Sequence, residues 1–404
     1  MIKELRVHNF RTLINASFRF QRRHLLIGKN NTGKTNLGLA ISFPRLVAEQ
    51  TIHDAVSMNP GAYWDFCNYA IGDKDRVCKY KLLCEVDFRG APLSYEYDFS
   101  VRVGDPRHAN VQSNASSIQH ESLLVSGGGF KGTPLIENDG AEVRLLHEQR
   151  YRNKEPDCYV TTRAPRDSSM LAKLYELETN PAAIAFRNSL KGIAYFNLSS
   201  DRIRWGWRES RNDLGLSSSG DNLALMIYQL KTAQESRYRR VIESVRRFDP
   251  RLVAINHLTG PDQNVMPIVE LEGNRTASWA SLSDGTLRAI ALSYLFEYAA
   301  FAGTGSGAPS PVLIIEEPEN CLFVGGLQTM MDEAEATAST AQIIFTTHSP
   351  YFIELFDADL DAVTLLRREE WHTTSSTLGD RRADIESSLK TMSLGEQYFR
   401  DLLE

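Results

Sequence analysis

The chain has 404 residues, 42% hydrophobic and 24% charged, with a formal net charge of −6; at roughly 100–200 residues per domain this accommodates two or three domains and excludes disordered and fibrous classes. No stretch reaches the ~20 uncharged apolar residues that span a bilayer, and the opening MIKELRVHNF is charged where a secretory leader needs an apolar run, so a cytoplasmic protein away from membranes is expected. The acidic balance excludes a chain that coats nucleic acid with its whole surface, while leaving room for a local basic patch.

In chain order, Ile2, Leu5, Val7 and Phe10, then Phe18 and Phe20, then Leu25, Leu26 and Ile27 predict short strands, the last fully buried. The glycine-rich stretch GKNNTGKTN follows, and Leu37, Leu39, Ala40 and Ile41 then recur at helical spacing. Residues 79–103 alternate apolar and polar side chains around a short turn, which predicts an antiparallel layer. Residues 104–148 are rich in Gly, Ser and Asn and give no clear pattern, and 149–192 is charged and mainly helical in pattern. From Asp221 the spacing of Leu223, Ile227, Leu230, Tyr238, Val241, Ile242 and Val245 predicts a helical hairpin or lid. Strands are expected at 265–271 and 276–279, a long apolar helix from Thr286 to Phe301, then strands at 312–315, 342–345 and 362–366, with an acidic helix at 322–338 and a short one after Pro350. Cys67, Cys78, Cys84, Cys158 and Cys321 form no C-x-x-C pair, so they read as reduced thiols or core filler, with no zinc site expected.

Gly28 to Thr35 fits G-x-x-x-x-G-K-[ST] between a strand and a helix, as a phosphate loop requires. Its backbone N–H groups and the helix N-terminus can cradle phosphate, Lys34 adds a charge, and Thr35 offers a hydroxyl to Mg²⁺. The strand PVLII ends in Glu316, Glu317, Pro318 and Glu319, at the sheet edge where ligands of open α/β sheets collect. Glu316 then serves Mg²⁺ and Glu317 polarises the attacking water. Taken alone, these acids read equally as a solvated turn, because 311–340 holds six acidic side chains and no Lys or Arg. Ser283, Asp284 and Gly285 open a helix and read either as a plain cap or as an anion site. His348 ends a further buried strand at the same edge, where it can donate to phosphate or order water.

The order of these pieces resembles the ABC-type ATPases of the RecF, SMC and OLD (overcoming lysogenization defect) group: NFRTL at 9–13, GKNNTGKTNL at 28–37, LSDGTLRAIAL at 282–292, LIIEEPEN at 313–320 and FTTHSP at 345–350. SLGEQYF at 393–399 is similar to a tail found in stand-alone OLD-like ATPases. The resemblance implies an α/β ABC-type head: a mixed, largely parallel phosphate-loop sheet, an antiparallel β layer and a short helical lid. It implies ATP and Mg²⁺ held by Gly28, Asn30, Asn31, Thr32, Gly33, Lys34, Thr35 and Asn36, with Thr35 and Glu316 on the metal side. Glu317 and His348 take the catalytic roles, Arg11 lies near the nucleotide, and Ser283 with Gly285 touches ATP held by a second protomer. A homodimer or higher homo-oligomer closed around ATP is the implied assembly.

The sequence also departs from that group. Glu316 stands where many ABC proteins have Asp, Leu322, Phe323 and Val324 replace a usual histidine-proline, and no Q-loop glutamine is assigned. Between phosphate loop and signature there is no sustained heptad, so the head is compact. The ~50 residues after His348 leave no room for a Toprim nuclease, which shifts destructive chemistry to a partner effector, a nuclease or toxin. The expected division is an N-terminal ATPase lobe at 1–105, an insertion of mixed structure at 106–220, a helical lid at 221–260 and a C-terminal ATPase lobe at 261–404. Segment 201–250 carries ten Lys or Arg against seven Asp or Glu, with Arg202, Arg204, Trp205, Trp207, Arg208 and Arg211 close together. Direct DNA binding through it is one reading; a solvated arginine face with Trp205 and Trp207 packed inside the lid is favoured, since +3 is small beside the ~6–10 phosphate contacts of a strong binder. The leading role is an ATPase that controls an effector in prokaryotic antiviral or genome defence; the alternative is a RecF-like DNA-binding ATPase in recombination and repair.

Overall fold

The structure is a computed structural model and describes residues 1–68, 76–104, 116–174, 179–206, 215–259, 265–304 and 310–403. Eight strands form one antiparallel sheet in the order β2 (Ala16–Arg19), β1 (Ile2–His8), β4 (Val77–Phe88), β5 (Ala91–Arg102), β6 (Ser117–Gly127), β7 (Phe130–Asn138), β8 (Glu142–Leu146) and β9 (Tyr159–Arg163). Six form a second sheet in the order β10 (Ile193–Phe196), β14 (Val312–Glu316), β15 (Gln342–Thr347), β3 (Arg23–Ile27), β16 (Val363–Glu369) and β17 (His372–Thr377). The first five of these run parallel and β17 is an antiparallel edge. A small sheet holds β11 (Leu252–Thr259), β12 (Val265–Leu271) and β13 (Arg275–Ser278).

The parallel strands are apolar at almost every position because both of their faces are covered. Leu26, Ile314 and Ile344 point into the core shared with the antiparallel sheet. Their neighbours Leu25, Ile27, Leu313, Ile315, Ile343 and Phe345 point into a second core on the opposite face. Helix Lys34–Glu49 lies in the first core through Leu37, Ala40, Ile41 and Phe43. Fully burying Leu37, Ile41 and Phe43 contributes ~1.5–3 kcal/mol each, so the helix that begins at Lys34 has a fixed seat.

The predicted hairpin forms helices Leu223–Ala233 and Glu235–Phe248. Its apolar face packs into the second core against helix Asp284–Thr304. An Arg237–Glu297 ion pair at 3.1 Å and a Ser244–Ser293 hydroxyl contact at 2.5 Å tie the two together. Helix Asp284–Thr304 buries Ile290, Ala291, Leu292, Leu295 and Phe296, on all its sides, which is why it lacks an amphipathic pattern. Two segments differ from expectation: 117–146 forms three strands despite its Gly, Ser and Asn content, and the stretch read as mainly helical contains β9 as well as helices Glu148–Arg152 and Pro181–Lys191. No helix among the described residues is long and apolar enough to cross a membrane.

Candidate functional site

Because β10, β14, β15 and β3 run parallel, their carboxyl ends share one edge, and each delivers a polar residue there. β3 passes into the loop from Gly28, β14 ends at Glu316, β15 runs into His348, and β10 runs into Asn197.

The loop folds back on its own lysine. Lys34 Nζ donates to the carbonyls of Gly28, at 2.5 Å, and Lys29, at 3.1 Å. Lys34 is only 8% exposed, and burial pulls its pKa below the ordinary value while Glu317, Glu316 and Glu319 pull it back up. Thr32 Oγ1 donates to the Lys29 carbonyl at 2.8 Å. Asn30 and Asn31 are exposed, and Asn31 takes the left-handed φ of 65° that asparagine tolerates better than most residues. Gly33 has φ 103°, and a Cβ there would meet Thr373 Oγ1 at 2.4 Å and Thr12 Oγ1 at 2.9 Å, so the motif needs glycine. Those two threonines bond each other at 2.8 Å; Thr373 also donates to the Thr32 carbonyl at 2.9 Å, and Asn36 Nδ2 to Thr12 at 2.9 Å. The loop is thus clamped between the β1–β2 turn and β17.

Thr35 hydroxyl contacts Glu316 Oε1 directly. The other Glu316 oxygen accepts from Tyr195 and, at 2.8 Å, from Asn197 Nδ2. Burial, with the Glu316 charge beside it, raises the Tyr195 pKa, which keeps the phenol a donor. Sequence reasoning missed Tyr195 and Asn197. Glu317 has φ 47°, its carbonyl accepts from Arg288 at 2.7 Å, and its Oε1 meets His348 Nδ1 at 2.8 Å. Glu317 Oε2, Glu319 Oε2 and Thr346 Oγ1 are buried with no hydrogen-bond partner among the described residues. Buried oxygens of this kind ask for a cation or water, and a hydroxyl beside a carboxylate is the donor set of a hard metal ion. The residues present therefore fit a Mg²⁺-phosphate ligand.

Glu319 accepts from Thr347, yet burial pushes its carboxyl from 4.5 up to about 7. A carboxyl raised in the fold adds stability that is complete below about 4.5 and lost as pH rises through about 7. Glu319→Gln carries no such proton. In nucleotide-free protein the variant should therefore gain stability relative to the parent as pH rises through about 7. Thermal unfolding on either side of that pH checks this, and parallel pH profiles for the two proteins would rule it out.

Arg11 has φ 51°, donates to the Pro60 carbonyl and stacks over Phe10 with its guanidinium carbon 5.6 Å from the ring centre. Ser283 caps its helix, accepting from Thr286 N at 3.1 Å. Gly285 allows close approach, since a Cβ there would lie 2.6 Å from the Cys321 carbonyl. Arg204 holds the loop before this helix by donating to the carbonyls of Ala280, at 2.6 Å, and Leu282, at 2.5 Å, and it pairs with Asp284. Trp205 is 46% exposed and so not enclosed inside the lid; Trp207, Arg208 and Arg211 lie outside the described residues.

Residues 156–354 match the family described as "AAA domain, putative AbiEii toxin, Type IV TA system". The loop at 28–35 precedes this segment, so its assignment rests on the geometry above. No curated protein matches the chain. A solved structure of an SmcHead bound to the C-winged helix domain of ScpA is 13% identical, with a TM-score of 0.50, over 94% of this chain and 99% of that chain. An SMC head domain from Thermotoga maritima aligns at 13% identity and TM-score 0.42 over 93% and 98% of the two chains. An Smc head domain with an extended coiled coil, bound to the C-terminal domain of ScpA derived from Pyrococcus furiosus, aligns at 13% and 0.46 over 96% and 99%. The chain therefore has an α/β fold similar to that of an SMC head domain, and its residues 156–354 are similar to the AbiEii-like AAA family.

Proposed function

We propose that the protein is a cytoplasmic ATPase that binds Mg²⁺-ATP, dimerises around it, and uses the nucleotide state to control a partner effector in prokaryotic defence. One observation carries the reading: Lys34, Thr35, Glu316, Glu317 and His348 arrive from three separate strands at one edge, where Thr35 touches Glu316 and His348 lies 2.8 Å from Glu317. When bound, Mg²⁺ neutralises charge on the phosphates. Lys34 turns from its loop carbonyls to the phosphates, and Tyr195 and Asn197 hold Glu316 in place. Glu317, fixed at its carbonyl by Arg288, takes the proton of the attacking water, with His348 orienting it.

Ser283 supports the shared-site part of the reading. It sits at the start of a 21-residue helix, whose dipole favours an anion, and it lines a different cavity from the one that holds Lys29 and His348. The matched family's toxin–antitoxin description supports the defence setting. The SMC head in complex with a ScpA domain is a precedent for a head of this fold carrying a protein partner. A RecF-like DNA-binding role finds less support, because Arg204 spends its guanidinium on the 280–284 loop.

Phosphate release by mixed variants tests the shared site. Ser283→Arg and Lys34→Ala chains should each be inactive alone. Mixing them leaves one intact composite site per heterodimer, so part of the activity should return. A mixture without activity, together with a Glu317→Gln protein that stays monomeric in light scattering under saturating ATP and Mg²⁺, overturns the reading.

A further inference from the structure

The antiparallel sheet ends in an open edge. β9 pairs with β8 on one side and is the last strand of its sheet. In the strand order it stands at the opposite end from β2, and so from the β1–β2 turn that clamps the phosphate loop. Residues 160–163 are exposed, Val160 to 46%.

The phase of the hydrogen bonds decides what this edge offers. In an antiparallel pair the N–H and C=O of one residue point to the same side, and successive residues alternate. The Ala164 N–H donates to the Ala141 carbonyl at 3.1 Å, and the Cys158 carbonyl accepts from the His147 N–H at 2.7 Å. Val160 and Thr162 therefore face β8, while Tyr159, Thr161 and Arg163 turn their backbone groups outward. Those outward groups have no backbone partner among the described residues, and a row of this kind is a template for another strand. The charges that flank the row are free as well. The Asp157 carboxylate and the Arg163 guanidinium are exposed and enter no ion pair among the described residues.

We propose that β9 pairs with β9 of a second copy of this chain, antiparallel about a twofold axis at Val160. This register sets Tyr159 against Thr161 of the second copy, so the outward N–H and C=O groups bond each other on both sides of the axis. It also sets Asp157 against Arg163 of the second copy at each end, an opposite-charge cross-strand pair. Val160 meets its own copy in a non-hydrogen-bonded pair, where side chains lie closest. One short segment thus supplies both a surface and its complement, as a self-complementary twofold interface requires. Moving the axis to Thr161 would put Pro165, which has no N–H, opposite Asp157 and would lose the charge match. The contact needs no nucleotide and is separate from the pairing around ATP proposed above.

The test measures the molar mass of the full chain by light scattering across protein concentration, first without nucleotide, where the parent should dimerise. Asp157→Arg and Arg163→Asp each place like charges together at both ends, and each should raise the concentration for half-dimerisation at least about tenfold. The double variant restores opposite charges and should return close to the parent. Thr161→Pro removes an outward N–H in each copy but no bond to β8, since proline is tolerated where the N–H side of an edge strand faces solvent. It should weaken dimerisation as much as the charge changes, with its thermal unfolding unchanged at a concentration where the parent is monomeric. A parent that is monomeric without nucleotide, single variants that dimerise like it, or a double variant that does not recover overturns the inference. Dimers that form only with ATP overturn it while supporting the shared-site reading.

Discussion

A Lys34→Ala protein is expected to lose ATP binding, with the dissociation constant rising about 10²-fold or more. The amine is nearly buried, and at present it satisfies the Gly28 and Lys29 carbonyls. It is therefore held a short swing from where the loop's N–H groups would place phosphate. Each charge-assisted bond to a phosphate oxygen is worth ~1.5–3 kcal/mol, and ~1.4 kcal/mol is tenfold in affinity. Two such bonds account for the expected loss. Burial already disfavours the charged amine, and the three neighbouring carboxylates restore it; the variant leaves those carboxylates facing the phosphates with no cation between. Calorimetric binding within threefold of the parent would contradict the assignment of the loop.

Glu317→Gln separates binding from turnover. The amide keeps the shape, and His348 retains a polar neighbour at the position now 2.8 Å away. What disappears is the basicity of Glu317 Oε2, the buried oxygen with no partner among the described residues. A positioned base contributes ~10²–10⁴ to a proton-transfer step, so turnover should fall by about 10² or more while ATP stays bound. Rapid-quench measurement of phosphate beside equilibrium ATP binding distinguishes the two. Turnover at the parent rate would move the base elsewhere.

What could be read from the sequence follows how local the cause is. The strand, turn and helix around Gly28–Thr35 were legible because they are contiguous and each obeys a short-range rule. β14 and β15 were legible because runs such as Val312–Ile315 and Gln342–Phe345 suit a strand buried on both faces. Tyr195 and Asn197 were not, because IAYF is short and its value comes from parallel pairing with β14, more than a hundred residues on. A short apolar run ending in Asn, just after an amphipathic helix, was the available signal. β6 and β7 were hidden by turn-forming residues, including the glycines at 127–129 with φ 97°, 55° and 98°, which shape the hairpin but dilute the alternation. Ser283 was legible as a cap and is one. The reach of Arg204 to the same loop was invisible, since it depends on how helix Ser200–Trp205 packs.

The clamp of Thr12 and Thr373 on the phosphate loop spans 361 positions of sequence, and β3 itself is flanked by β15 and β16, both from the far end of the chain. Pairings this far apart in sequence form slowly, because the long loop between them must close first. At ~5–20 residues per second of synthesis, the loop emerges tens of seconds before the strands and threonine that shape it. Throughout that interval β3 has both backbone edges unpaired, a template for misassociation. On the proposed reading, nucleotide binding then needs the clamp as well as the motif: a chain cut before Thr373 holds the strand, loop and helix but lacks the contact that gives the loop its shape.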